Sequence, residues 1–164
     1  MALTGAEGLV TTLKAYVEAN IAAKLTALNT EYADSITLAT PVITYLGVKS
    51  LQAIPNYPAL YILSPSARFA GWTVSSGESK PEIAIGVIVT DMDSEILQKR
   101  LYRYGRALIE LMLNGMGVGL GNWVLSTNEE WATDTLTAAN TASTTSQYVG
   151  EVTLSLRAAK IETM

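Results

Sequence analysis

Pro81-Glu82-Ile83-Ala84-Ile85-Gly86-Val87-Ile88-Val89-Thr90, running straight into Asp91-Met92-Asp93-Ser94, is the stretch on which the fold turns. Val and Ile pack well on a pleated surface, so the run from Glu82 to Thr90 predicts a strand, opened by Pro81. The next four residues reverse the preference. Short acidic and hydroxyl side chains accept hydrogen bonds from the free N–H groups of a helix's first turn, and their charge suits its positive end. Leu97, Leu101, Tyr104, Leu108, Leu111 and Met112 then recur at helical steps, which predicts a helix to about Asn114 with one core-facing stripe. Its roughly 22 residues, at 1.5 Å each, reach about 33 Å.

Working outward, Ala59-Leu60-Tyr61-Ile62-Leu63 is apolar at every position, as expected of a strand with neighbours on both sides, and it ends at Ser64-Pro65. Ser66 to Lys80 is Ser/Gly-rich yet carries Arg68, Phe69, Trp72 and Val74; it reads either as a protruding hairpin arm or as a simple loop. Pro55 and Pro58 mark a connection. Before it, Val42 to Leu46 is extended, with Pro41 favouring an edge or a break between short strands. The chain starts with an amphipathic helix from about Gly5 to Asn29, lined by Leu9, Leu13, Tyr16, Val17, Ile21, Leu25 and Leu28. Beyond the second helix, Trp123 to Ser126 is a short strand, Thr127 to Ser146 a long polar loop, and Gln147 to Ile161 an alternating closing strand. The sum is a single α+β domain over 1–164, with two long helices on one face of a mostly antiparallel sheet.

The composition narrows the function. With no Cys and no His, thiol nucleophiles, disulfides, imidazole chemistry and zinc sites built on those residues are excluded. A net charge of −4 argues against general nucleic-acid binding, which needs a basic surface. No export signal and no apolar run approaching the roughly 20 residues of a membrane span is visible, so a soluble protein without membrane contact is expected. Charged residues make up only 16%, low for a globular surface, so polar loops or partner contacts must cover the remainder.

Nothing in the pattern supports catalysis. Gly115, Gly117, Gly119 and Gly121 follow a helix, whereas phosphate-cradling loops precede one; a left-handed cap accounts for the first of them. Asp91, Asp93 and Glu95 suggest a metal or acid–base cluster, but helix capping accounts for the two aspartates. Serine nucleophiles have no His partner. No cofactor and no enzymatic activity are expected.

Contact surfaces are better represented. Lys99, Arg100, Arg103 and Arg106 hold four of the chain's eleven basic residues, and Tyr102, Ile109 and Leu113 form a second apolar strip beside them. A helix on a sheet needs one apolar stripe, so the second points to a neighbouring subunit or, alternatively, to a thick core. Glu129, Glu130 and Asp134 in the polar loop offer acidic partners for Arg100, Arg103 and Arg106 in a head-to-tail contact between copies. Arg68, Phe69 and Trp72 make the arm a partner-contact element; alternatively, its aromatics fold back on the core.

The order Tyr57-Pro58-Ala59-Leu60-Tyr61-Ile62-Leu63, a variable arm, Glu82 to Thr90, Asp91-Met92-Asp93-Ser94, a helix ending Ala107-Leu108-Ile109-Glu110-Leu111-Met112-Leu113, and a closing strand from Tyr148 to Ile161 resembles the neck and tail-completion proteins of tailed bacteriophages, the tail terminator group above all. The resemblance covers nearly the whole chain as a pattern, through loose motifs. It implies a virion structural protein, assembled in the host bacterial cytoplasm. That protein would form a ring, usually a hexamer, which caps the tail tube and joins it to the head-side connector. DNA would pass through the lumen without specific binding, and an acidic lumen fits the negative balance. The long Thr127 to Ser146 loop departs from the group's pattern. A small-ligand-binding or regulatory domain, with a pocket between helices and sheet, is the alternative.

Overall fold

The computed structural model describes residues 6–47, 53–70, 76–115, 124–126, 133–138 and 147–163. In chain order these form α1 (Ala6–Tyr32), β1 (Thr44–Leu46), β2 (Ala59–Ala70), β3 (Ser76–Asp91), α2 (Ser94–Gly115), β4 (Val124–Ser126), β5 (Thr133–Ala138) and β6 (Tyr148–Thr163). The strands make one sheet in the order β1-β2-β3-β6-β4, with β5 also paired to β6. Only the β1–β2 pair is parallel. Both helices lie on one face, α1 over β2 and reaching β1, α2 over β3 and β6. The architecture is α+β, as the sequence predicts.

Strand alternation divides the sheet's two faces. Leu60 and Ile62 of β2, Ile83, Ile85, Val87 and Val89 of β3, and Val152, Leu154 and Leu156 of β6 meet the helices. They pack against Leu9, Leu13, Val17, Ile21, Leu25 and Leu28 of α1, and against Leu97, Leu101, Tyr104, Leu108, Leu111 and Met112 of α2. Full burial of such a side chain is worth about 1.5–3 kcal/mol, so this layer is the main source of stability. The far face has its own smaller cluster of Ile54, Ala59, Tyr61, Ile88 and Val149, which is why β2 is apolar at every position from Ala59 to Leu63. There the Tyr61 ring lies across Gly86, and its hydroxyl donates to Glu151 and shares a 2.8 Å hydrogen bond with Thr153 on β6.

Three boundaries differ from the sequence reading. Ser64-Pro65 does not end β2: the register shifts between Leu63 and Ser66, Ser64 Oγ bonds Glu82 O at 2.8 Å, and pairing resumes to Ala70. Pro81 therefore lies inside β3, opposite Ala67, close to that irregularity. A register shift is where a central strand tolerates a residue without an N–H. Residues 66–70 and 78–80 are thus paired strand rather than simple loop, and β6 pairs alongside β3 as far as Thr163. The third difference is β5, a strand inside what reads as a polar loop; Thr at alternate positions 133, 135 and 137 has the β-branched shape a strand favours despite its polarity.

The 33–40 connection has no regular structure but is held tightly. Ala33 ends α1 in the left-handed region (φ 46°), its N–H donating to Asn29 O. The Asn29 side chain then clamps Leu38, accepting from its N–H at 2.8 Å and donating to its carbonyl at 3.0 Å. Tyr104 of α2 donates to Ala39 O at 2.6 Å. At the far end of the helix pair, Tyr16 of α1 donates to Leu111 O of α2 at 3.0 Å.

Candidate functional site

α2 carries about half of the residues that the sequence marks for contact, and its start is well defined. Asp93 Oδ1 accepts from the N–H groups of Glu95 (2.8 Å) and Ile96 (3.2 Å), and Asp91 Oδ1 from that of Asp93 (3.0 Å). Asp93 is the helix cap, and Asp91 braces it through the Asp93 N–H just ahead of the first turn. Among the described residues no group of three potential metal ligands comes together, and no helix is long and apolar enough to cross a membrane.

The basic residues of α2 are not a free face. Arg103 is only 7% exposed; it donates to both carboxylate oxygens of Asp34 and to Ile36 O at 3.0 Å, with the Tyr32 ring 4.0 Å from its guanidinium carbon. Arg106 grips Glu31 through both terminal nitrogens (2.7 and 2.9 Å) and Glu110 through Nε (2.6 Å), while Lys24 pairs with the other oxygen of Glu110. Arg100 pairs with Asp91 at 2.9 Å. The subunit-interface role expected of Arg103 and Arg106 is therefore corrected: both form the seam between α1 and α2. The helix wheel places them off the apolar stripe, but only the folded chain brings Glu31 and Asp34 up to meet them.

Asp34 is the electrostatic centre of that seam. The Arg103 hydrogen bond, aided by the Ile36 N–H, lowers its carboxyl from 3.8 to about 2. A carboxylate depressed in the folded state contributes stability that is complete above its unfolded pKa and is lost as pH falls through the folded one. Thermal melts should therefore show a loss between about pH 4 and pH 2 that Asp34→Asn removes, the variant being less stable at neutral pH but flatter across that window. An unchanged pH profile for Asp34→Asn would count against the pairing.

The flank turned away from α1 is different. Tyr102 is 68% and Leu113 48% exposed, with Ile109 half-buried between them. Leu101, Tyr102, Gly105, Ile109, the stems of Arg106 and Glu110, and Val152 of β6 line an open groove of about 340 Å³. Met92 and Tyr148, where β3 leaves and β6 enters the sheet, are exposed too. Of the residues expected at an interface, Tyr102 and Leu113 are exposed, Arg103 is buried, and Arg100 and Arg106 are partly exposed but paired within the chain.

The remaining site residues divide. Arg68 and Phe69 stand in β2, in register with Lys80 and Ser79 of β3; Trp72 lies outside the described residues. Glu129 and Glu130 also lie outside them, and Asp134 belongs to β5, opposite Thr153, not to a loop. Edge strand β1 was not marked as a contact element, yet Val42 (78%), Leu46 (50%) and Ile43 are exposed apolar side chains at the sheet's border. The signal for it was present: an apolar run of five residues without a charge, beside a proline that confines it to an edge. No protein-family model and no curated protein matches the chain.

Proposed function

We propose that the chain is a structural subunit of a tailed-bacteriophage virion, forming a ring at the head–tail junction that terminates the tail tube and joins it to the head connector. The observation that carries this reading is the apolar outer flank of α2: a helix whose inner face already fills the core exposes Tyr102 and Leu113, with the half-buried Ile109 between them. Soluble monomers rarely leave such a strip uncovered, and assembling ones need it. The sequence resemblance supplies the setting, and the β2–β3 hairpin suits it. The ladder runs on beyond Ile83 and Leu156, through Ser76 and Thr163. Seven further residues at about 3.3 Å each extend the sheet by roughly 23 Å, enough to reach a neighbouring ring. Its partners are copies of itself, the tail tube protein and a head-side neck protein, with DNA passing through the lumen.

Measuring the mass of the purified protein, alone and with tail tube protein, tests this. Ring particles in negative stain, of a mass several times that of the chain and binding tube ends, are the expected result. A monomer under both conditions overturns it. The groove of about 340 Å³ favours the second reading, small-ligand binding, because apolar pockets of this size accept such molecules. Its two charged residues, Arg106 and Glu110, are however bound to each other and to α1, leaving few polar groups to fix a ligand.

A further inference from the structure

We infer that the subunits join head to tail, with edge strand β1 and the outer side of α1 in one copy seated against edge strand β5 and the apolar flank of α2 in the next. The inference rests on the ring reading for closure, and it replaces the contact between basic helix and acidic loop that the sequence suggests.

Four features of the fold converge on it. Among the described residues the sheet ends in β1 on one side and in β5 with β4 on the other. An edge strand offers unpaired backbone N–H and C=O groups, and proteins that stay apart usually place a charge there. Val42 to Leu46 has none, and its apolar side chains face solvent. Of β1's backbone groups, Ile43 O and Gly47 N bond to β2, so alternation turns the N–H and C=O of Thr44 and Leu46 outward.

Strand direction also fits. β1 runs parallel to β2, β2 antiparallel to β3, β3 to β6, and β6 to β5. Continuing the sheet from one copy to the next therefore lays β1 antiparallel to the neighbour's β5, the pairing that forms the more stable ladder.

The helical layer completes the contact. α1 lies on the β1 side of the molecule and α2 on the β6 side, with the groove beyond it. Joining the sheets in this way brings α1 of one copy beside Tyr102, Ile109 and Leu113 of the other. The solvent side of α1 suits that position: Ala15, Ala19 and Ala22 are exposed on one stripe, away from the Lys24 and Glu31 pairs with α2. Small residues on one helix admit large apolar ones from its neighbour. Three residues of strand pairing alone fall far short of the roughly 1,200 Å² that a stable interface buries, and the helix contact supplies the remainder. Because the two surfaces differ, each copy uses one of each, which is the condition for a closed ring rather than a dimer.

Two variants separate this arrangement from the others. Leu46→Pro removes an outward N–H of β1 while leaving the Gly47–Ile62 bond to β2 intact; Tyr102→Glu places a charge on the α2 flank. Each alone should be a folded monomer by light scattering, with the circular dichroism of the parent. Mixed, they should form a one-to-one dimer and nothing larger, because only one productive pair of surfaces remains. If Leu46→Pro perturbs the fold, Val42→Lys/Leu46→Lys takes its place in the mixture. Self-association of Tyr102→Glu to a dimer would show β1 pairing with itself and overturn the proposal, as would a mixture that stays monomeric. Parent and Leu46→Pro both forming rings would overturn the β1 contact while leaving the ring reading standing; a monomeric parent would remove both.

Discussion

Arg103→Glu/Arg106→Glu is expected to abolish the cooperative fold, not merely to block assembly. The native seam balances Glu31, Asp34 and Glu110 against Arg103, Arg106 and Lys24. The double substitution adds two carboxylates to those three and leaves Lys24 as the seam's cation. Arg103 is buried although Asp34 reaches solvent, so the glutamate replacing it would lose water at its own position and the hydrogen bonds to Asp34 and Ile36 O, while facing a carboxylate instead of pairing with it. A charge left desolvated without a partner is among the most damaging changes a small domain can suffer. Arg103→Glu alone should lower Tm by roughly 10 °C or more. Arg106→Glu alone should do less, because the Arg106 pairs are partly solvated and such pairs contribute little. Lys99→Ala, which removes an exposed pair with Glu95, is the control and should leave the melt unchanged. Thermal circular dichroism of the four proteins checks this; a double variant melting like the parent would show that the seam is not structural.

Gly86→Ala is the second substitution with a large expected effect, and it comes from a single missing methyl group. A Cβ at Gly86 would overlap the tip of the Tyr61 ring. A tyrosine on the surface could swing aside, but this one is buried beside Ile54 and Ile88 and tied to Glu151 and Thr153. Burial, and then the Glu151 carboxylate, push its phenol well above the ordinary range, so it stays a neutral donor. Overpacking of this kind costs about 2 kcal/mol, or roughly 4–8 °C in Tm for a domain of this size. The decisive arm is Tyr61→Ala. By itself it should cost about 3 kcal/mol through lost packing. In that background Gly86→Ala should cost nothing and should even stabilise by about 0.5 kcal/mol, since Ala restricts the unfolded chain more than Gly does. Additive effects of the two substitutions would mean that they do not touch.

The parts of the fold that a sequence displays are those set by periodic side chains. The three-and-four spacing of α1 and α2 and the Ile/Val run of β3 placed both helices and the central strand, because each element's buried face is written in consecutive residues. What stayed hidden depends on partners far along the chain. Pro65 and Pro81 read as strand limits, and only the register shift between Leu63 and Ser66 shows how the ladder passes them. The threonines of β5 read as loop until β6 supplies their hydrogen bonds. The contact surface divides along the same line. Tyr102, Ile109 and Leu113 were legible as a second apolar strip, since a helical wheel needs nothing beyond α2. Arg103 and Arg106 were misread because Asp34 and Glu31 stand 69 and 75 residues away in sequence.

The place of β6 in the sheet has a consequence for synthesis. It follows β4 and β5 in the chain, yet it stands between β3 and the β4–β5 border and fills the core with Val152, Leu154 and Leu156. A nascent chain still lacking it has both helices and the first hairpin but an unfilled core, and no β6 for β5 to pair with. Synthesis therefore runs well past the first hairpin and both helices before the core can close, and a product that stops short of β6 leaves that apolar layer open.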